Sequence, residues 1–164
     1  MAAGHLTIGG VARSMVREIA PDQLPYLELT AKEIFAGGSS GRNAMLATLD
    51  GDVRSRPAGF GAEEVGLVVG FLVTVLNGVA MDLLGEHAVR RTDALTARWR
   101  RRRERRALTE RAAPDGLDAP LPALGAIEAA NLGRRVLVLA REAGIADEQA
   151  QRIATLIAAE LTAR

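Results

Sequence analysis

A chain of 164 residues with 48% apolar and 25% charged side chains is long enough for one folded domain and too apolar for wholesale disorder. It contains no cysteine, which excludes disulfides, thiolate metal sites and cysteine nucleophiles, and with only 3% aromatics its core must rest on aliphatic and small side chains. The net charge of +1 conceals an asymmetry: residues 1–64 carry 6 basic and 8 acidic side chains, net −2, whereas residues 82–164 carry 15 and 12, net +3.

The first ten residues are short and glycine-punctuated, and His5–Ile8 receives no assignment. They carry no charged segment followed by an apolar run, so no cleavable signal is visible. Val11, Met15, Val16 and Ile19 have helical spacing, and Pro21 ends that helix by pushing Ala20 out of the helical region. Asp22 is placed to cap a second helix, whose face is Leu24, Leu27, Ala31, Ile34 and Phe35 and whose end is Gly37-Gly38. Gly37-x-Ser39-x-Gly41 matches the nucleophile-elbow pattern in letters, but that turn needs a preceding strand and an α/β sheet, so it reads as a glycine-serine turn. Arg42–Leu49 reads as a short helix, Asp50-Gly51-Asp52 as a turn without the further ligands a calcium loop needs, and residues 53–61 as a loop.

The organising stretch is Val65–Leu84, apolar on every side rather than along one stripe. Such a helix belongs in lipid or in a large core. The helical pattern continues from Ala62 to about Ala112, which predicts one long central helix with an apolar glycine-lined half and an Arg-rich half. Gly66, Gly70, Thr74 and Gly78 fall four apart and so on one face, with Asn77 near its end. Glycine costs about 1 kcal/mol at an interior helical position, so glycines in register predict a compensating close contact, either a second copy of the chain or another helix. Val65–Met81 is 17 residues, a marginal length for a bilayer core of about 30 Å.

Beyond that stretch lie Arg90, Arg91, Arg98, Trp99, Arg100, Arg101, Arg102, Arg103, Arg105 and Arg106. From Arg90 to Arg111 ten Arg face three acids. This run suits anionic lipid, an acidic partner or, less strongly, phosphates. Leu95 and Trp99, four apart, are expected to dock the Arg-rich helix on the C-terminal part. Residues 113–122, with Pro114, Pro120 and Pro122, read as a linker. Residues 123–164 then form an αα-hairpin: Leu132, Val136, Leu139, Ala140 and Ala143 on one helix, Gly144 as its C′ residue, and Ala150, Ile153, Ile157 and Leu161 on the other. Such a hairpin must pack on residues 10–49 or on a protein partner to bury enough surface.

The sequence therefore predicts an all-α bundle divided into residues 1–61, 62–112, 113–122 and 123–164. No catalytic residues, metal ligands or cofactor motif are assigned: His5 and His87 lack metal-ligand spacing, and Glu63-Glu64 and Asp147-Glu148 suit helix starts. The leading expectation is a membrane-associated homo-oligomer, the Arg-rich and C-terminal parts cytoplasmic, packed through Gly66, Gly70, Thr74, Asn77 and Gly78. The alternative is a cytoplasmic soluble oligomeric module whose Arg-rich helix binds nucleic acid or an acidic partner.

Overall fold

Thr7 starts the fold. Its Oγ1 accepts the Gly10 N–H at 3.2 Å and so caps helix α1 (Ile8–Ile19), whose first N–H groups have no partner within the helix. A computed structural model describes residues 6–37, 39–50, 66–82, 84 and 94–162. Six further helices lie among them: α2 (Leu27–Phe35), α3 (Ser39–Asp50), α4 (Leu67–Ala80), α5 (Ala94–Glu110), α6 (Ala126–Glu142) and α7 (Asp147–Leu161). The chain is all-α, and the described residues contain two isolated bridges but no strand.

α1 buries Ile8, Val11, Ala12, Met15 and Val16, and ends at Ile19 before Pro21 as the spacing predicts. The predicted second helix is observed in two parts. Pro21–Tyr26 is a 3-10 segment containing Pro25, whose missing N–H interrupts helical bonding, and α2 begins only after it. Asp22 makes no capping bond to this segment. Gln23 is buried instead, and its Oε1 accepts the Val69 N–H at 3.4 Å. A side chain distant in sequence thus satisfies an open donor in the first turn of α4.

α4 is the centre of the bundle. Twelve of its 14 residues, Val68–Val79, are buried. α1, the 3-10 segment, α2, α3 and α5 all contact it. Protein therefore covers every face of α4 over Val68–Val79, with each fully buried Val, Leu or Phe contributing about 1.5–3 kcal/mol. The predicted single helix over 62–112 is corrected to two helices. The Met81 N–H caps α4 on Asn77 O at 3.0 Å, and Asp82 takes φ +52, a left-handed conformation through which an α-helix cannot run. Ala62, Val65 and the loop expected over 53–61 lie outside the described residues.

The predicted hairpin is present. α6 ends in a Schellman motif: Gly144 has φ +80, its N–H reaches Arg141 O at 3.1 Å, and the Ile145 N–H reaches Ala140 O at 3.0 Å. The helices cross closely at Gly133, where an added Cβ would lie 3.1 Å from Ala154 O. The hairpin packs on α1 through α7, with Ser14 Oγ donating to Glu160 Oε1 at 3.0 Å and Arg152 donating to Glu18 O at 3.3 Å. The segment predicted as a linker is tied to the helices by backbone hydrogen bonds. Ile8 N–H bonds Ala119 O at 3.1 Å, Leu121 N–H bonds Leu6 O at 2.7 Å, and Leu124 N–H bonds Leu161 O at 2.7 Å.

Candidate functional site: the small-residue face and the Arg-rich helix

Four of the five residues predicted to form the packing face lie on α4, and the chain's own helices fill that face. Gly70 meets α2 and α3: a Cβ there would lie 2.9 Å from Thr48 Oγ1 and 3.7 Å from Thr30 Cγ2. Gly78 meets α5, and a Cβ there would overlap Leu108 Cδ2. Thr74 is buried and returns its hydroxyl to Gly70 O at 2.8 Å, one turn back. Gly66 stands apart from the other three. It precedes α4 with φ +95, so it supplies a left-handed lead-in and not a packing surface.

Asn77 carries the strongest polar contact of this face. Its Nδ2 donates to Arg111 O at 2.9 Å, and its Oδ1 accepts the Ala113 N–H at 2.8 Å. The amide thereby holds the chain just after α5 against the central helix. Amide, glycines and threonine together shape the interior around one helix, and within the chain that face has no vacancy.

The arginines divide by direction. Arg90 and Arg91 lie outside the described residues; Arg98, Arg100 and Arg101 lie on α5, and their side chains, with those of Leu95 and Trp99, lie outside them too. From Arg102 onward the helical period separates two faces. Leu108 is fully buried, Glu104 and Arg105 are half-buried, and Arg102, Arg103 and Arg106 are exposed.

The inner pair joins α5 to α6. Arg105 binds Glu142 at 2.7 Å, and Glu104 binds Arg135, which also donates to Leu84 O at 2.5 Å. Arg105 therefore belongs to the fold rather than to an anion-binding surface. On the outer face Arg106 Nε donates to Glu110 Oε1 at 2.6 Å, and that hydrogen bond, followed by the carboxylate's charge, raises the guanidinium pKa. Arg102 and Arg103 make no ion pair among the described residues. On the described outer face of α5, Arg102, Arg103 and Arg106 stand with Glu110, three positive charges against one negative.

Between α5 and α6 lies an open cavity of about 260 Å³, lined by Glu104, Arg134, Arg135, Val138, Leu139 and Glu142. No spacing in the sequence marks this place, because the helix-to-helix pairs that frame it join residues 31 and 37 apart. Among the described residues no group of three His, Cys, Asp or Glu could hold a metal ion. No described helix is long and apolar enough to cross a membrane. No family model matches the sequence, and no curated protein or solved structure matches it either.

Proposed function

We propose that this chain is a non-catalytic helical interaction module that receives an acidic macromolecule on the outward face of α5. One observation carries this reading: the helix spends Glu104 and Arg105 on α6 while Arg102, Arg103 and Arg106 face solvent. A helix needed only for packing gains nothing from exposed like charges, which repel at short helical spacings. A ridge of guanidinium groups attracts an anionic partner and steers its approach.

The membrane-associated, self-assembling reading has less support. It drew on an apolar helix with no visible cover and on glycines awaiting a second backbone. Both needs are met within the bundle, and α4 with its 14 residues is about 21 Å long against a bilayer core of about 30 Å. Membrane insertion would require α4 to leave a site in which Val68–Val79 are buried.

The test is fluorescence anisotropy of the full chain against labelled polyglutamate and a labelled single-stranded oligonucleotide over a salt series. The variant R102E/R103E/R106E is expected to lose affinity for both and to flatten the salt dependence by about one unit of slope per Arg removed, because fewer counterions are displaced. Unchanged binding by that variant would refute the reading.

A further inference from the structure

The outward strip of α6 runs Ile127, Asn131, Arg134, Val138 and Arg141, spaced four, three, four and three apart. This is the repeat with which one helix receives another. Ile127 is 76% and Val138 46% exposed, which leaves two aliphatic side chains in solvent on a helix whose other face is already buried in the core. Val138 also lines the cavity beside α5, together with Leu139.

The charges at this seam do not cancel. Arg105 is matched by Glu142 and Arg135 by Glu104, while among the described residues Arg134 bonds the neutral amide of Asn131 and no carboxylate. Arg141 is matched by Asp147. One positive charge is therefore left in the middle of the strip, flanked by the aliphatic pair, with Arg102 and Arg103 exposed on α5. The cavity of about 260 Å³ is of the size that takes one large apolar side chain.

We propose that this strip, with the cavity beside it, docks an acidic amphipathic helix of a protein partner. The inference rests on the basic-surface reading above and names the partner's class. Aliphatic contact decides between protein and nucleic acid. A phosphate backbone offers Ile127 and Val138 nothing, and single-stranded bases call for aromatic platforms, of which the described side chains of α5 and α6 supply none. An apolar knob entering beside Val138 and Leu139, with carboxylates set toward Arg134, uses both features at once.

The probe is a labelled helical peptide of roughly 18 residues, Leu on one face and Glu on the other, compared with a scramble of identical composition and with a labelled single-stranded oligonucleotide. The amphipathic peptide is expected to bind the full chain about tenfold more tightly than the scramble. Val138→Ser and Ile127→Ser, both uncharged changes at exposed positions, should each weaken that peptide about tenfold and leave oligonucleotide binding unchanged. Arg134→Glu should weaken every acidic probe. Circular dichroism checks that each variant keeps its helices. Equal binding of peptide and scramble, failure of the amphipathic peptide to bind, or indifference to Val138→Ser overturns the docking proposal. The basic-surface reading survives those outcomes so long as the R102E/R103E/R106E variant loses affinity for polyanions, which keeps the two failures distinct.

Discussion

Asn77 and Ala113 are 36 positions apart and joined by a 2.8 Å hydrogen bond from the Ala113 backbone to the Asn77 side chain, while the same amide donates to Arg111 O. Both groups of one side chain are used, at two points of one strand of backbone. Asn77 is fully buried and Ala113 nearly so, so water does not replace the Ala113 bond once it is lost, whereas the Arg111 carbonyl belongs to an exposed residue. Asn77→Leu, similar in size, should therefore cost about 1–3 kcal/mol by leaving the buried Ala113 N–H unsatisfied. Urea unfolding of the variant beside the parent measures this. A stability equal to the parent's would mean that residues 111–113 are held by packing alone.

At Gly78 the α5 side chain of Leu108 lies directly on α4, since a Cβ there would overlap Leu108 Cδ2. Gly78→Ala gains helix propensity but forces Leu108 to move, and overpacking of this kind costs about 1–3 kcal/mol. Leu108 is fully buried, so Leu108→Ala alone should cost about 2–5 kcal/mol through the cavity it leaves. The double variant should cost less than the two together, because the new methyl enters that space. Strict additivity in the denaturation midpoints would show that the two side chains do not share a site.

Gly70, Thr74 and Gly78 were legible as a close-packing face from spacing alone, since three small residues four apart share one side of a helix. The identity of the occupant was not. Gly70 faces Thr48 and Thr30, and Gly78 faces Leu108, partners from three different helices that no local pattern joins. The Schellman cap at Gly144 was legible because it is local: six consecutive residues define it. Gln23 was opaque for the opposite reason, since it closes the first turn of a helix 46 positions away. The break after Ala80 was hidden too, because Asp82 in a left-handed conformation has no compositional mark as plain as glycine or proline. As for the candidate surface, the excess of Arg was plain in the sequence. Its division into Arg105, turned toward α6, and Arg102 and Arg103, exposed, required the position of Glu142.

Glu104 and Arg135 form the least exposed ion pair among the described residues, at 15% and 18% side-chain exposure, and Arg135 also holds Leu84 O. Removing one member leaves the other charge partly out of water. Glu104→Gln should thus destabilise the fold by about 3 kcal/mol, at the lower end for a buried pair because some water still reaches it. Replacing both, as E104L/R135M, should recover most of that loss, since apolar side chains of similar volume need no partner. Thermal unfolding of the three proteins compares these outcomes. A double variant as unstable as Glu104→Gln would show that Leu84 O, rather than the carboxylate, is what Arg135 is needed for.

Asp147 opens α7 and closes the hairpin turn by accepting from Arg141 Nε at 2.5 Å and from Gln151 Nε2 at 3.1 Å. Its pKa is lowered, chiefly by the Arg141 hydrogen bond, which outweighs an opposing desolvation, with the guanidinium charge and the Gln151 bond adding smaller lowering contributions. The carboxylate is thus bound more firmly in the folded chain than in the unfolded one. A depressed folded pKa makes a contribution that is present above the unfolded value of about 3.9 and is lost as pH falls through the folded value below it. Asp147→Asn should therefore lower the melting temperature slightly at neutral pH, the pair being exposed and exposed pairs weak. The two melting curves should converge as the pH falls below the ordinary carboxylate range, once the parent's carboxylate is protonated and resembles the amide. A gap that persists unchanged into acid would assign the effect to the geometry of the helix start instead of to charge.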